Sequence, residues 1–99
     1  MSSDRIYGQF CPISMGAEVF ATKWTPIILR ELLCGSTRFG QLKSGAPLMS
    51  RSLLSQRLQE MEHAGLITIT PLPKGRGAEY RLTEAGEALR PVGMALGHW

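Results

Sequence analysis

Ser50–Gly65, SRSLLSQRLQEMEHAG, is the stretch that decides the fold. Its apolar residues Leu54, Leu58 and Met61 recur at helical spacing and form one stripe of an amphipathic helix. Ser50 stands where a hydroxyl can accept from an orphan N–H of the first turn. Gly65 stands where the chain must turn left-handed to leave the helix, with Leu66 as the apolar residue that closes such an ending. At 100° per residue, Ser52, Gln56, Gln59 and His63 point away from the stripe, flanked by Arg51 and Ser55. Solvated helix faces favour Glu and Lys, but here Glu60 and Glu62 come only near the end. Gln and Arg can read base edges with two hydrogen bonds at once, and Ser can bond bases or phosphates. Taken alone, the stretch fits a plain surface helix at least as well. Its neighbours reverse that balance.

Upstream, Phe39-Gly40-Gln41-Leu42-Lys43 reads as a short helix anchored by Phe39 and Leu42, and SGAPLM is a turn broken by Gly45 and Pro47. Ser36-Thr37-Arg38 is a short extended piece. Before it, IILRELL is apolar nearly all round apart from Arg30 and Glu31, which predicts a central helix ending at Gly35. Thr25 is its expected cap, Pro26 suits its first turn, and Trp24 is expected in the core or at a subunit contact. Cys11-Pro12 opens a first helix. Its Ile13, Ala17 and Phe20, widened by Met15 and Val19, exceed what a core contact needs and suggest a partner surface. Residues 1–10 read as a flexible lead-in.

Downstream of Gly65 the period changes to two. Ile67 and Ile69 alternate with Thr68 and Thr70, and Ala78, Tyr80 and Leu82 alternate with Glu79 and Arg81, so two strands are expected. Between them PLPKGRG is a hairpin tip carrying Lys74 and Arg76 with two glycines. Thr83 caps a last helix, EAGEALRPVGMALGHW, with Ala85, Leu89, Val92, Leu96 and Trp99 on one stripe and Pro91 bending it.

The expected class is α+β, mostly helical. It is a winged helix-turn-helix over residues 11–99, with N- and C-terminal dimerisation helices. The helix-turn-helix lies at about 39–65, a two- to three-stranded antiparallel wing at about 66–82, and the C-terminal dimerisation helix at about 83–99. The second helix of such a pair enters the major groove with its N-terminal residues first. The candidate DNA-binding residues are therefore Ser50, Arg51, Ser52, Ser55, Gln56 and Gln59, with Arg38 beside them and Lys74 and Arg76 on the wing. The apolar faces near both ends predict a two-fold homodimer through Ile13, Ala17, Phe20, Leu89, Val92, Leu96 and Trp99.

The composition suits this reading without establishing it. Ninety-nine residues make one small domain, and 11 Lys and Arg against 8 Asp and Glu leave a net charge of +3. That is compatible with double-stranded DNA as a partner. Cys11 and Cys34 make no disulfide framework and no zinc spacing. No Ser/His/Asp set, phosphate loop or paired acid and base is present, so neither enzyme chemistry nor a cofactor or metal is expected. No apolar run is long enough to span a bilayer, and the N-terminus lacks a signal-peptide pattern. A cytoplasmic protein with no membrane partner is expected.

The segments CP at 11–12, KWTPIILREL, RFGQL, SRSLLSQRLQEMEHAGLI and EYRLTEAGEALRP together resemble the HxlR-type winged helix-turn-helix regulators over about residues 11–99. The resemblance implies a bacterial or archaeal transcriptional regulator that binds operator DNA as a homodimer through its first and last helices, with Ser50–Gly65 as recognition helix. It also implies a candidate redox or electrophile sensor at Cys11, and a thiol at a helix N-terminus is able to be more reactive. A small packing residue at a dimer contact is the plainer reading of Cys11. The leading expectation is a dimeric repressor on a palindromic operator, its effector unidentified. The rival is a winged helix that docks protein, which would show apolar anchors on the outer face. Only Leu53 approaches that face, at its edge.

Overall fold

A computed structural model describes residues 12–20 and 23–99. Cys11, the residues before it and the side chain of Phe20 lie outside the described residues. The elements run α1 (Pro12–Phe20), α2 (Thr25–Leu33), α3 (Phe39–Gly45), α4 (Arg51–His63), β1 (Ile67–Pro71), β2 (Ala78–Leu82), α5 (Glu84–Glu87) and α6 (Arg90–His98). A single 3₁₀ turn, Pro73–Gly75, joins the strands. They pair antiparallel from Ile67 opposite Leu82 to Pro71 opposite Ala78. The third strand shrinks to one bridge, Arg38 opposite Glu79.

The core gathers where the helical stripes meet. Ile28, Leu29 and Leu32 of α2, Leu42 of α3, and Leu54, Leu58 and Met61 of α4 are buried together with Ala46, Met49, Leu66 and Ile67. Each large aliphatic side chain buried there contributes roughly 1.5–3 kcal/mol. The nearly all-apolar α2 is thus the central helix that its sequence predicts. Trp24 packs against this core, half-buried.

Gly65 ends α4 as its position predicts. Its φ is +82°, its N–H donates to the carbonyl of Glu62, and the N–H of Leu66 reaches back to that of Met61 at 2.9 Å. Orphan carbonyls at the helix end are thereby satisfied, and Leu66 is dropped into the core. Thr83 then clasps the same spot. Its Oγ1 donates to the Gly65 carbonyl at 2.6 Å and accepts from the N–H of Gly86 at 3.1 Å, capping α5.

Two expectations are corrected. Thr25 does not cap α2: it is the helix's first residue and 3% exposed, while Trp24 holds the cap position with φ +77° and no side-chain hydrogen bond. Burying Trp24 and Thr25 against the core outweighs a local cap. The last helix is two helices, not one bent at Pro91. Proline has no N–H to give the carbonyl of Glu87, so the ladder stops, and Pro91 instead occupies the first turn of α6. Leu89, placed in the break, is half-buried against the core.

Candidate nucleic-acid interface

The pair α3–turn–α4 is fixed by side chains that serve the backbone. The Gln41 Oε1 accepts from the N–H groups of Thr37 at 2.9 Å and Arg38 at 3.1 Å, satisfying donors at the start of α3. An Arg30 guanidinium N–H donates to the Gly45 carbonyl at 2.9 Å, tying α2 to the end of α3. Across the turn, Lys43 Nζ donates to the Pro47 carbonyl at 3.0 Å, and Met49 plugs the turn into the core. Ser50 is the cap its position predicts: its Oγ accepts from the Leu53 N–H at 3.1 Å. Such a cap is worth about 1 kcal/mol.

The opposite side of α4 carries the expected polar face. Ser52, Ser55, Gln56 and Gln59 are exposed, and so are Ser50 and Arg51 at the helix start. Leu53, the apolar residue at the edge, turns inward and packs half-buried on the core. Arg51 does not stand free: its guanidinium carbon lies 4.8 Å from the centroid of the Phe39 ring. A cation held over an aromatic face is oriented before any partner arrives. Gln56 is also engaged, donating from Nε2 to Glu60 Oε2 at 3.2 Å.

The wing stands beside this face. The Leu72 N–H donates to the Gly77 carbonyl at 2.8 Å and closes the tip. Lys74 within it adopts φ +58°, a left-handed conformation uncommon outside glycine. Lys74 and Arg76 are both exposed there. Arg38 belongs to the wing's root rather than to the helix face. It bridges to Glu79 in the backbone, and the Tyr80 N–H donates to the neighbouring Thr37 carbonyl at 2.9 Å. The hydrogen bond from Arg81 holds the Glu79 carboxyl below its ordinary range against desolvation, with the charges of Arg81 and Arg38 adding to the effect. Burial pushes the Tyr80 phenol up, and its ring centroid lies 6.4 Å from that of Phe39.

Two features went unread in the sequence. Leu48, in the turn before α4, is 91% exposed although apolar. Arg57 leaves the helix for the α1–α2 junction, where its Nε donates to the Lys23 carbonyl at 3.0 Å, and it pairs with Glu60 at 2.9 Å. The i,i+3 and i,i+4 spacings of Arg57–Glu60 and Gln56–Glu60 were the available signal. Of the expected dimer residues, Ile13 (85%), Val92 (42%), Leu96 (51%) and Trp99 are exposed, and Ala17 is half-buried. Cys34 is an exposed free thiol lining a cavity of about 440 Å³ between α2 and α6. Among the described residues, no group of three His, Cys, Asp or Glu is placed to hold a metal ion, and no helix is long and apolar enough to cross a membrane.

A capped helix presented by a short partner helix and flanked by a basic-tipped hairpin defines a winged helix-turn-helix. The profile of the HxlR-like helix-turn-helix matches residues 19–99. This chain belongs to that family, whose members are DNA-binding transcriptional regulators. It is 31% identical over 93 residues to the uncharacterized HTH-type transcriptional regulator YvaP of Bacillus subtilis (strain 168), covering 92% of this chain and 86% of that one. An uncharacterized HTH-type transcriptional regulator of Synechocystis sp. is 36% identical over 90 residues, covering 90% of this chain and 67% of that one. Among solved structures, the redox regulator HypR in its reduced form superposes with a TM-score of 0.83 at 26% identity, over 90% of this chain and 89% of that one.

Proposed function

We propose that this regulator is a cytoplasmic homodimeric repressor that sets α4 of each protomer in successive major grooves of a palindromic operator. The carrying observation is the outer face of α4, where Arg51, Ser52, Ser55, Gln56 and Gln59 are exposed with no aliphatic anchor among them, and Glu60, Glu62 and His63 follow only toward the end of the helix. Ser50, Arg51, Ser52, Ser55, Gln56 and Gln59 meet bases and adjoining phosphates. The wing lays Lys74 and Arg76 on the flanking backbone, with Arg38 at its root. The absence of an apolar anchor on this face also weighs against a protein-docking winged helix, because interface centres are rich in aromatic and aliphatic side chains.

Lys74→Ala tests the assignment of the wing. A phosphate contact releases counterions and carries little sequence information. Titrations against genomic fragments selected by the protein, and against scrambled duplex, should therefore weaken alike, with the salt slope smaller by about one unit. An unchanged slope would take Lys74 off the DNA.

The dimer rests on Ile13, Val92, Met94, Leu96 and Trp99, exposed apolar groups on α1, on α6 and just after it. Light scattering at micromolar concentration should give twice the 10.9 kDa of one chain. A monomer mass would remove the two-fold symmetry and with it the palindrome.

A thiol-sensing form of the same function is favoured by the likeness to a redox regulator solved in both reduced and oxidised forms. Cys11 is its candidate. Diamide should change the affinity for selected DNA, Cys11→Ser should abolish the response, and Cys34→Ser should keep it. An unresponsive wild-type protein leaves Cys11 a packing role only.

A further inference from the structure

Gln56 sits in a chain of hydrogen bonds that begins far from the reading face. The Lys23 carbonyl, at the α1–α2 junction, accepts from Arg57 Nε at 3.0 Å. The guanidinium, held there, pairs through Nη1 with Glu60 Oε1 at 2.9 Å. The other carboxylate oxygen, Oε2, accepts from Gln56 Nε2 at 3.2 Å. Arg57's side chain is only 17% exposed, so the anchor is set by the fold and not by the helix surface alone.

The chemistry of the last link is directional. A carboxylate accepts and does not donate, whereas a primary amide has one accepting end and one donating end. Facing Glu60, the amide of Gln56 must turn its nitrogen inward, because the flipped form would set oxygen against oxygen. One N–H is thereby used. The carbonyl oxygen and the remaining N–H are left on the outward edge.

We propose that Glu60 is a positioning residue for base selection, fixing the amide of Gln56 as one acceptor beside one donor. That edge matches adenine, which offers the N6 amino donor and the N7 acceptor in the major groove. It does not match guanine, whose O6 and N7 both accept and would need both amide N–H groups. Glu60 thus restricts Gln56 to adenine by occupying one donor and preventing the flip. Arg57 and the Lys23 carbonyl hold Glu60 in place to do so. The inference rests on Gln56 facing the groove, as proposed above.

The test is selection from a random duplex library by the full chain, followed by titration of the four base pairs at the position each variant affects. Gln56→Ala locates that position and should lower its adenine preference roughly tenfold. Glu60→Gln keeps size, but the guanidinium of Arg57 only donates and takes the new amide's oxygen, which turns the amide N–H toward Gln56 and makes Gln56 flip its own nitrogen outward. It should admit guanine at the same position, shrinking the preference for adenine over guanine severalfold, with affinity for scrambled duplex not reduced. A merely structural role for Glu60 would weaken every sequence alike and leave the base profile unmoved, which would overturn the proposal while leaving the groove reading intact. If Gln56→Ala moves no position, the groove reading itself fails, and the positioning role fails with it. Thermal melting of both variants separates either result from unfolding.

Discussion

Gly86→Ala is expected to cost about 3 kcal/mol of stability or more, lowering the melting temperature by roughly 12–24 °C in a domain of this size. A Cβ on Gly86 would overlap the carbonyl oxygen of Leu66 and lie 2.9 Å from Leu82 Cδ2. The first obstacle is backbone, and it is the same carbonyl that accepts the Thr83 N–H at 2.9 Å. Neither group can yield without loosening the junction where α4, the wing and α5 meet. Since natural domains hold only about 5–15 kcal/mol in reserve, such a loss reaches a large fraction of the total. Gly45→Ala is the control. There the added methyl meets Glu31 from Cγ outward and no backbone, so relief needs only that side chain to change rotamer and give up its ion pair with Arg30, an exposed contact of small worth. Melting curves followed by circular dichroism compare the two. Equal melting temperatures for Gly86→Ala and the parent chain would show that α5 is not closely seated on Leu66.

Ser52→Glu should do the opposite, abolishing DNA binding while leaving the fold untouched. Ser52 is exposed at the second position of α4, and among the described residues its side chain makes a long 3.5 Å contact with Ser50 Oγ and no other hydrogen bond. A carboxylate in a first helical turn is stabilising, by about 0.3–1 kcal/mol. Against a polyanion the same charge is repulsive, and like-charge juxtaposition at an interface costs several kcal/mol. The expected loss is at least roughly a hundredfold on selected DNA, with an unchanged or slightly raised melting temperature. Unaltered binding would mean that the N-terminal end of α4 never approaches the groove, and the assignment of Ser50, Arg51 and Ser52 would fall together.

How far the sequence carries depends on whether the deciding contact is local. Ser50 and Gly65 bracket α4 because a cap hydroxyl and a left-handed exit act within one turn, and both are legible in a few residues. The two strands follow equally from alternation and a glycine-containing tip. The start of α2 does not. Thr25 has the right side chain for a cap, but the core wants it buried, and no local signal reveals that Trp24 takes up a left-handed turn instead. The break at Leu89 is intermediate: Pro91 announces an interruption, yet whether it bends one helix or begins another depends on Leu89 finding the core. On the polar face of α4, the outward residues are legible from periodicity alone. Their poise is not. That Arg51 lies over Phe39 could have been guessed only from the fold, and that Arg57 reaches the Lys23 carbonyl joins residues 34 apart in the chain.

The Thr83 hydroxyl, bonded at once to Gly65 and Gly86, has a consequence for motion. It makes the exit of α4, the root of the wing and the entry of α5 one cooperative unit in slow local unfolding. Opening the exit of α4 costs the bond to Gly65 and opening the entry of α5 costs the bond to Gly86, so hydrogen exchange is expected to show the amides there protected together. The loop at Lys74 lies beyond that knot, closed mainly by the Leu72–Gly77 hydrogen bond. The hairpin is therefore fastened at its root to the end of α4 and closed at its tip by a bond of its own, so the two ends are held by separate interactions.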